Sequence, residues 1–184
     1  SKKYHYKPGG AFISSKPSGG INHKEYGVTS LGVNVCMHQI LEYLGINPNK
    51  DVFTVKMSGG PDGDVAGNQL LNLYRLYNKT AKVIALTDGT GTIHDAQGLD
   101  LGILKELFYE TKGIAAYPPE KLSEGGFLLN KGKKRYPSAY IQETLCYRKR
   151  DGIVIEDWLT GSDTNHLLRF NVHQTKADVF IPAG

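Results

Sequence analysis

Apolar positions along the chain alternate between helical and strand-like spacing from about residue 30 to residue 108. Leu31, Val35, Leu41 and Leu44 mark the inward side of a helix running from Ser30, its predicted N-cap, to about Leu44, where Gly45 and Pro48 stop it. Val52 to Met57 is a short run of β-branched, apolar and aromatic residues and reads as a strand. Val65, Ala66, Leu70, Leu73, Tyr74 and Tyr77 then recur at helical spacing over Asp64–Tyr77. Lys82–Leu86 reads as a second, fully buried strand ending at the turn pair Asp88-Gly89. A loop over Thr90–Gly98 leads to a helix starting near Asp100, with Leu101, Leu104, Leu107 and Phe108 on one face.

Strand, helix, strand and helix in alternation predict an α/β fold, a Rossmann-like, mostly parallel sheet flanked by helices. A less regular elaboration follows the second βα unit. From Ala115 to Phe170 the periodicity is broken by Pro118-Pro119, Gly125-Gly126 and a lysine-rich stretch. Ile153–Ile155 reads as a strand, Leu167–Phe170 as a further element, and Ala177–Pro182 as a third core strand. Residues 1–29 carry no convincing periodicity and read as an extended lead-in; residues 30–184 form the predicted domain, with an irregular insertion over about 115–170.

Between the first strand and its helix lies Ser58-Gly59-Gly60-Pro61-Asp62-Gly63-Asp64-Val65-Ala66-Gly67-Asn68. A glycine-rich turn between a strand and a helix lets backbone approach a pyrophosphate, which the free amides and positive dipole end of the helix then face. The spacing is one residue longer than the plain G-x-G-x-x-G between its first two small positions, Gly60 and Gly63, with Ala66 as the third. The bland alternative is a purely structural turn. Asp88 ends the second strand, 25 residues after Gly63. A carboxylate there suits adenosine ribose hydroxyls and repels a 2′-phosphate, favouring NAD, but Asp-Gly is also an ordinary turn pair.

Composition narrows this only a little. Hydrophobic residues at 40% and charged residues at 22% are ordinary globular values, while 22 glycines suit tight, ligand-approaching turns. The formal charge of +4 is mild, and the basic runs at Lys131–Arg135 and Arg148–Arg150 are short, so solvated loops are the better reading than a nucleic-acid face. Cys36 and Cys146 lie far apart without metal-ligand spacing and suit a reducing compartment, predicted as cytoplasmic. No run is long and apolar enough to span a bilayer. The histidines (His23, His38, His94, His166, His173 among them) are scattered, and no elbow, triad or HExxH presents a nucleophile or metal site.

Gly20–Ser30, Val55–Asn68, Asp88-Gly89, Gly98-Leu99-Asp100 and Lys176–Gly184 closely resemble the large NAD-specific glutamate dehydrogenases, distinct from the smaller hexameric type. The resemblance implies oxidative deamination of L-glutamate to 2-oxoglutarate and ammonia with hydride transfer to NAD, by a homo-oligomeric parent enzyme without nucleic-acid or membrane partners. It places Gly60, Pro61, Asp62, Gly63, Asp64 and Val65 in the pyrophosphate loop and Asp88 after the second strand. It places Thr29 at the nicotinamide carboxamide and Ala183 in the loop near the nicotinamide ribose. The family's catalytic lysine and aspartate belong to a substrate domain expected before Ser1, and its sequence continues past Gly184, so no residue here is assigned as catalytic. Other readings are a dehydrogenase for another amino acid, such as leucine or valine, and a non-catalytic nucleotide-binding regulatory module.

Overall fold

The structure is a computed structural model and describes residues 22–136 and 142–184. Its elements are α1 (His23–Tyr26), α2 (Val28–Tyr43), β1 (Phe53–Ser58), α3 (Asp64–Tyr77), β2 (Ala81–Thr87), β3 (Gly91–His94), α4 (Leu101–Tyr109), β4 (Phe127–Arg135), β5 (Glu143–Arg150), β6 (Ile153–Leu159), α5 (Gly161–Gln174) and β7 (Val179–Pro182). The strands form one sheet in the order β6-β5-β4-β3-β2-β1-β7.

The parallel part is the group β2-β1-β7 at one end of that order. In β1, Phe53, Val55 and Met57 are fully buried and alternate with half-buried Thr54, Lys56 and Ser58, as the period of two requires. β2 instead buries Val83, Ile84, Ala85 and Leu86 in succession, because both of its faces are covered. β1 and β2 run side by side from Phe53↔Ala81 to Ser58↔Thr87, with α3 as the crossover between them. β7 lies on the other side of β1, pairing Val55↔Val179 through Ser58↔Pro182. The carboxylate of Asp178 clips this join by accepting from both the Thr54 amide and its hydroxyl, each at 2.7 Å.

The elaboration after β2 is regular but antiparallel: β2, β3, β4, β5 and β6 pair in a meander. The stretch Thr90–Gly98, expected to be a loop, contains β3, whose buried Thr92 and Ile93 sit in the sheet. β3 spans four residues, too short for its alternation to stand out in sequence. The strand expected at Ile153–Ile155 is β6, and Leu167–Phe170 falls within α5. A bulge between Asn130 and Lys134 offsets β4 from β5.

Two details of α2 differ from the sequence reading. Its N-cap is Gly27, in the left-handed region at φ 59°, and Ser30 lies inside the first turn, its hydroxyl donating to the Gly27 carbonyl at 2.9 Å. Its buried side is Ser30, Asn34, Met37 and Leu41, so of the four expected inward residues only Leu41 is inside. Leu31, Val35 and Leu44 are 59%, 55% and 57% exposed. The helix is apolar on more than one side, and polar contacts to α3, one buried and one part-buried, select its rotation. Gln69 donates to Asn34 Oδ1 at 3.1 Å, and His38 Nδ1 meets the Tyr77 hydroxyl at 2.9 Å. α4 follows the expectation closely: Asp100 caps it by accepting from the Gly102 and Ile103 amides, and Leu101, Leu104, Leu107 and Phe108 are buried. No helix among the described residues is long and apolar enough to cross a membrane.

Candidate functional site

The glycine turn leaves β1 at the carboxyl edge of the parallel strands. Gly59 has φ +104°, and its amide donates to the Thr87 carbonyl at 2.7 Å. A Cβ on Gly59 would lie 2.7 Å from the Ala66 methyl and 2.9 Å from the Ala183 carbonyl oxygen, so both the backbone angle and the space demand glycine. A Cβ on Gly60 would lie 2.7 Å from Cγ of Asp88. The Gly63 amide donates to the Gly60 carbonyl at 3.0 Å and closes the turn.

Gly63 is also the N-cap of α3, in extended conformation (φ -71°, ψ 156°), and no side chain caps the helix. The first amides of a helix have no intrahelical partner. Those of Asp64, Val65 and Ala66 therefore stand at the positive end of a 14-residue helix, beside backbone stripped of side chains. The carboxylates at Asp62 and Asp64 oppose an anion here. Asp64 strengthens the helix start, and Lys24 offsets part of that negative charge by donating from Nζ to the Asp62 carbonyl at 2.8 Å.

Asp88 lies at the end of β2, half-buried. Its Oδ1 accepts from the Thr90 amide (2.7 Å), the Thr90 hydroxyl (2.7 Å) and the Gly91 amide (3.0 Å). Its Oδ2 accepts from the Ile114 amide at 2.8 Å. The turn role is therefore present. Oδ2, the oxygen nearest Gly60, keeps acceptor capacity for a second donor, since a carboxylate oxygen accepts two.

Ala183 follows β7 and its amide donates to the Ser58 carbonyl at 2.9 Å, which puts it directly against the glycine turn. Pro61 is buried beneath the turn, while Val65 is half-buried. Thr29 is exposed in the first turn of α2. The preceding α1 is tied to the start of α3 by Asn68, whose side-chain amide donates to the carbonyls of Lys24 (2.8 Å) and Asp64 (2.9 Å). The structure thus gathers Gly60 to Val65, Asp88 and Ala183 at one edge. It leaves Thr29 on the neighbouring helix start, without a hydrogen bond to that turn.

Three positions shape the turn although sequence spacing does not single them out. Gly59 is the residue with positive φ. Gly67 sits where a Cβ would run into the Pro61 carbonyl and the Phe108 ring. Lys24 is 38 residues from the carbonyl it holds. A glycine one turn into a helix is unfavourable, and that was the available signal for close packing at Gly67.

The chemistry away from this edge is quiet. His94 stacks on Phe127 with ring centroids 5.8 Å apart, and burial holds its pKa below 6.5 against the opposing pull of Asp95. Cys36 and Cys146 are both free thiols, and burial pushes Cys146 up to about 11.

A family model described as glutamate/leucine/phenylalanine/valine dehydrogenase matches residues 19–184. The chain is 33% identical over 178 residues to the NAD-specific glutamate dehydrogenase of Saccharomyces cerevisiae, covering 95% of this chain and 14% of that protein. It is 34% identical over 175 residues to the probable NAD-specific glutamate dehydrogenase of Schizosaccharomyces pombe, with coverage of 94% and 14%. For the NAD-specific glutamate dehydrogenase of Neurospora crassa the identity is 35% over 166 residues, with coverage of 90% and 14%. The chain therefore spans 14% of the length of these relatives.

Proposed function

The chain belongs to the glutamate/leucine/phenylalanine/valine dehydrogenase family, and on that footing we propose that it is the NAD-binding domain of a large NAD-specific glutamate dehydrogenase. The observation carrying this reading is the cradle at Gly59, Gly60 and Gly63, which side-chain carbons would fill, beneath the uncapped start of α3. Within the family, glutamate is favoured over other amino acids by the names of the relatives matched along nearly the whole chain.

The amides of Asp64, Val65 and Ala66 would hold the diphosphate, with Gly60, Pro61, Asp62 and Gly63 forming the close-approach backbone. Asp88 Oδ2 would accept from an adenosine ribose hydroxyl, and a second negative charge at that point would be repelled, which supports NAD over NADP. Thr29 and Ala183 would border the nicotinamide half. Bound NAD would supply the hydride acceptor for converting L-glutamate to 2-oxoglutarate and ammonia. The glutamate pocket and the proton-transferring lysine and aspartate are assigned to another part of a longer polypeptide, so this chain alone should bind NAD without turnover. Two free thiols support a cytoplasmic setting, and the apolar outer side of α2 is a surface that a homo-oligomeric parent would cover.

Titration of NAD and NADP against the chain, with Gly63→Val and Asp88→Ala alongside, tests the assignment. Valine at position 63 should abolish NAD binding by bulk, and alanine at position 88 should weaken NAD more than NADP. Unchanged NAD affinity in Gly63→Val would overturn the placement.

A further inference from the structure

A cavity of about 590 Å³ lies beside the glycine turn, between the starts of α1 and α2, the outer side of α3 and the end of α4. Two cations stand on its wall, Lys24 and Arg75, and neither has a carboxylate within ion-pair distance among the described residues. The carboxylate on the same wall, Glu25, accepts instead from the Asn22 amide at 3.1 Å. Lys24 uses one donor on the Asp62 carbonyl and lies 5.3 Å from the centre of the Phe108 ring. An ammonium has three donors, so two remain. Arg75 touches the Tyr109 hydroxyl at 3.3 Å through one nitrogen and keeps most of its fork free. Aromatic side chains, the buried Phe108 and the exposed Tyr109 set edge to face, and positive charge without an ion-pair partner thus line one concavity of ligand size.

We propose that this cavity binds a small aromatic anion, a planar ring carrying a carboxylate or a phosphate. The ring packs against Phe108 and Tyr109, and the anionic group sits between Lys24 and Arg75. The site is distinct from the glycine turn: Arg75 and Asn72 lie two to three turns along α3, whereas the diphosphate position is at the start of that helix. The two sites share Lys24. An anion that fixes its ammonium against the Asp62 carbonyl also holds the turn in the shape described above. Ligand in the cavity therefore tightens dinucleotide binding, and linkage makes the effect reciprocal. This coupling, though not the cavity itself, rests on the NAD reading.

Salicylate and AMP serve as probes, one for each anionic group, titrated into the chain saturated with NAD so that the glycine turn is filled. One of them should bind at a single site, with affinity falling about tenfold or more in Arg75→Ala, as the loss of a charge-assisted contact predicts. In a separate titration starting from nucleotide-free chain, NAD should bind about fivefold or more tightly with salicylate already present than without it, and Arg75→Ala should remove that gain. Binding of neither probe, or binding indifferent to Arg75→Ala, would overturn the site. Salicylate binding that responds to Arg75→Ala in the Gly63→Val chain upholds the cavity even if NAD fails to bind the native chain, so the two assignments fail separately.

Discussion

Gly60 and Asp88 meet across the carboxyl ends of β1 and β2 with no space for a carbon atom between them. A Cβ built on Gly60 would stand 2.7 Å from Cγ and 2.8 Å from Cβ of Asp88. The carboxylate cannot swing aside cheaply, because Thr90, Gly91 and Ile114 all donate to it. The same contact that anchors the β2–β3 turn therefore limits residue 60 to glycine.

Gly60→Ala should destabilise the chain by about 1–3 kcal/mol, the usual cost of forcing a methyl into packed structure. It should also reduce NAD binding severely. Combined with Asp88→Ala, the two losses should be less than additive, since the second change removes the carboxyl group the methyl strikes and leaves only the Cβ contact at 2.8 Å. Urea unfolding of the four chains measures this; strict additivity would show that the two residues do not press on each other.

Asp88→Asn separates the turn role from the proposed cofactor role. An asparagine can keep an oxygen toward Thr90 and Gly91, but its NH₂ would then face the Ile114 amide, donor against donor. Stability without any nucleotide should drop by about 1–3 kcal/mol, the cost of leaving a partly buried donor unpaired. An unfolding midpoint equal to the parent's would remove the Ile114 contact from the account.

Two leucines of α2 should respond very differently. Leu41 is fully buried against the core, while Leu31 is 59% exposed. Leu41→Ala should cost about 2–5 kcal/mol and Leu31→Ala no more than about 0.5 kcal/mol in the same denaturant titration. Reversed magnitudes would mean that the helix is turned with its other side inward.

His94 should make the fold acid-sensitive. Its pKa is depressed below 6.5 by burial, so the folded state prefers the neutral ring while the unfolded chain takes up a proton more readily. The stability tied to the neutral ring is complete above pH 6.5 and is lost as pH falls from there through the folded-state pKa. Unfolding free energy measured at pH 7.5 and pH 5.5 should fall more for the parent than for His94→Gln. Equal falls would show that other groups carry the acid response.

Much of the parallel part of the sheet is legible from local spacing. The alternation in Phe53–Ser58, the helical recurrence over Asp64–Tyr77 and the glycines between them are neighbours in sequence and in space. Their periodicities therefore specify a strand, a turn and a helix without knowledge of anything else. The helix start near Asp100 and the buried face of α4 follow for the same reason. The rotation of α2 was not legible because apolar residues occur on more than one of its sides, so composition cannot choose between them.

The order of residues alone determined the βαβ unit and the small side chains at its turn, since both depend on contacts within a few positions. Only the tertiary structure decided how that turn is held. Asp88 reaches Ile114 across 26 residues, Lys24 reaches Asp62 across 38, and Asp178 clips Thr54 across 124. It also decided that the strands after β2 run antiparallel, as a meander. Pairings of that range have no periodicity to mark them. The part-buried Ile114 amide takes Asp88 because a donor left without a partner there costs free energy, and the two exposed pairs form where the packed chain brings donor and acceptor together.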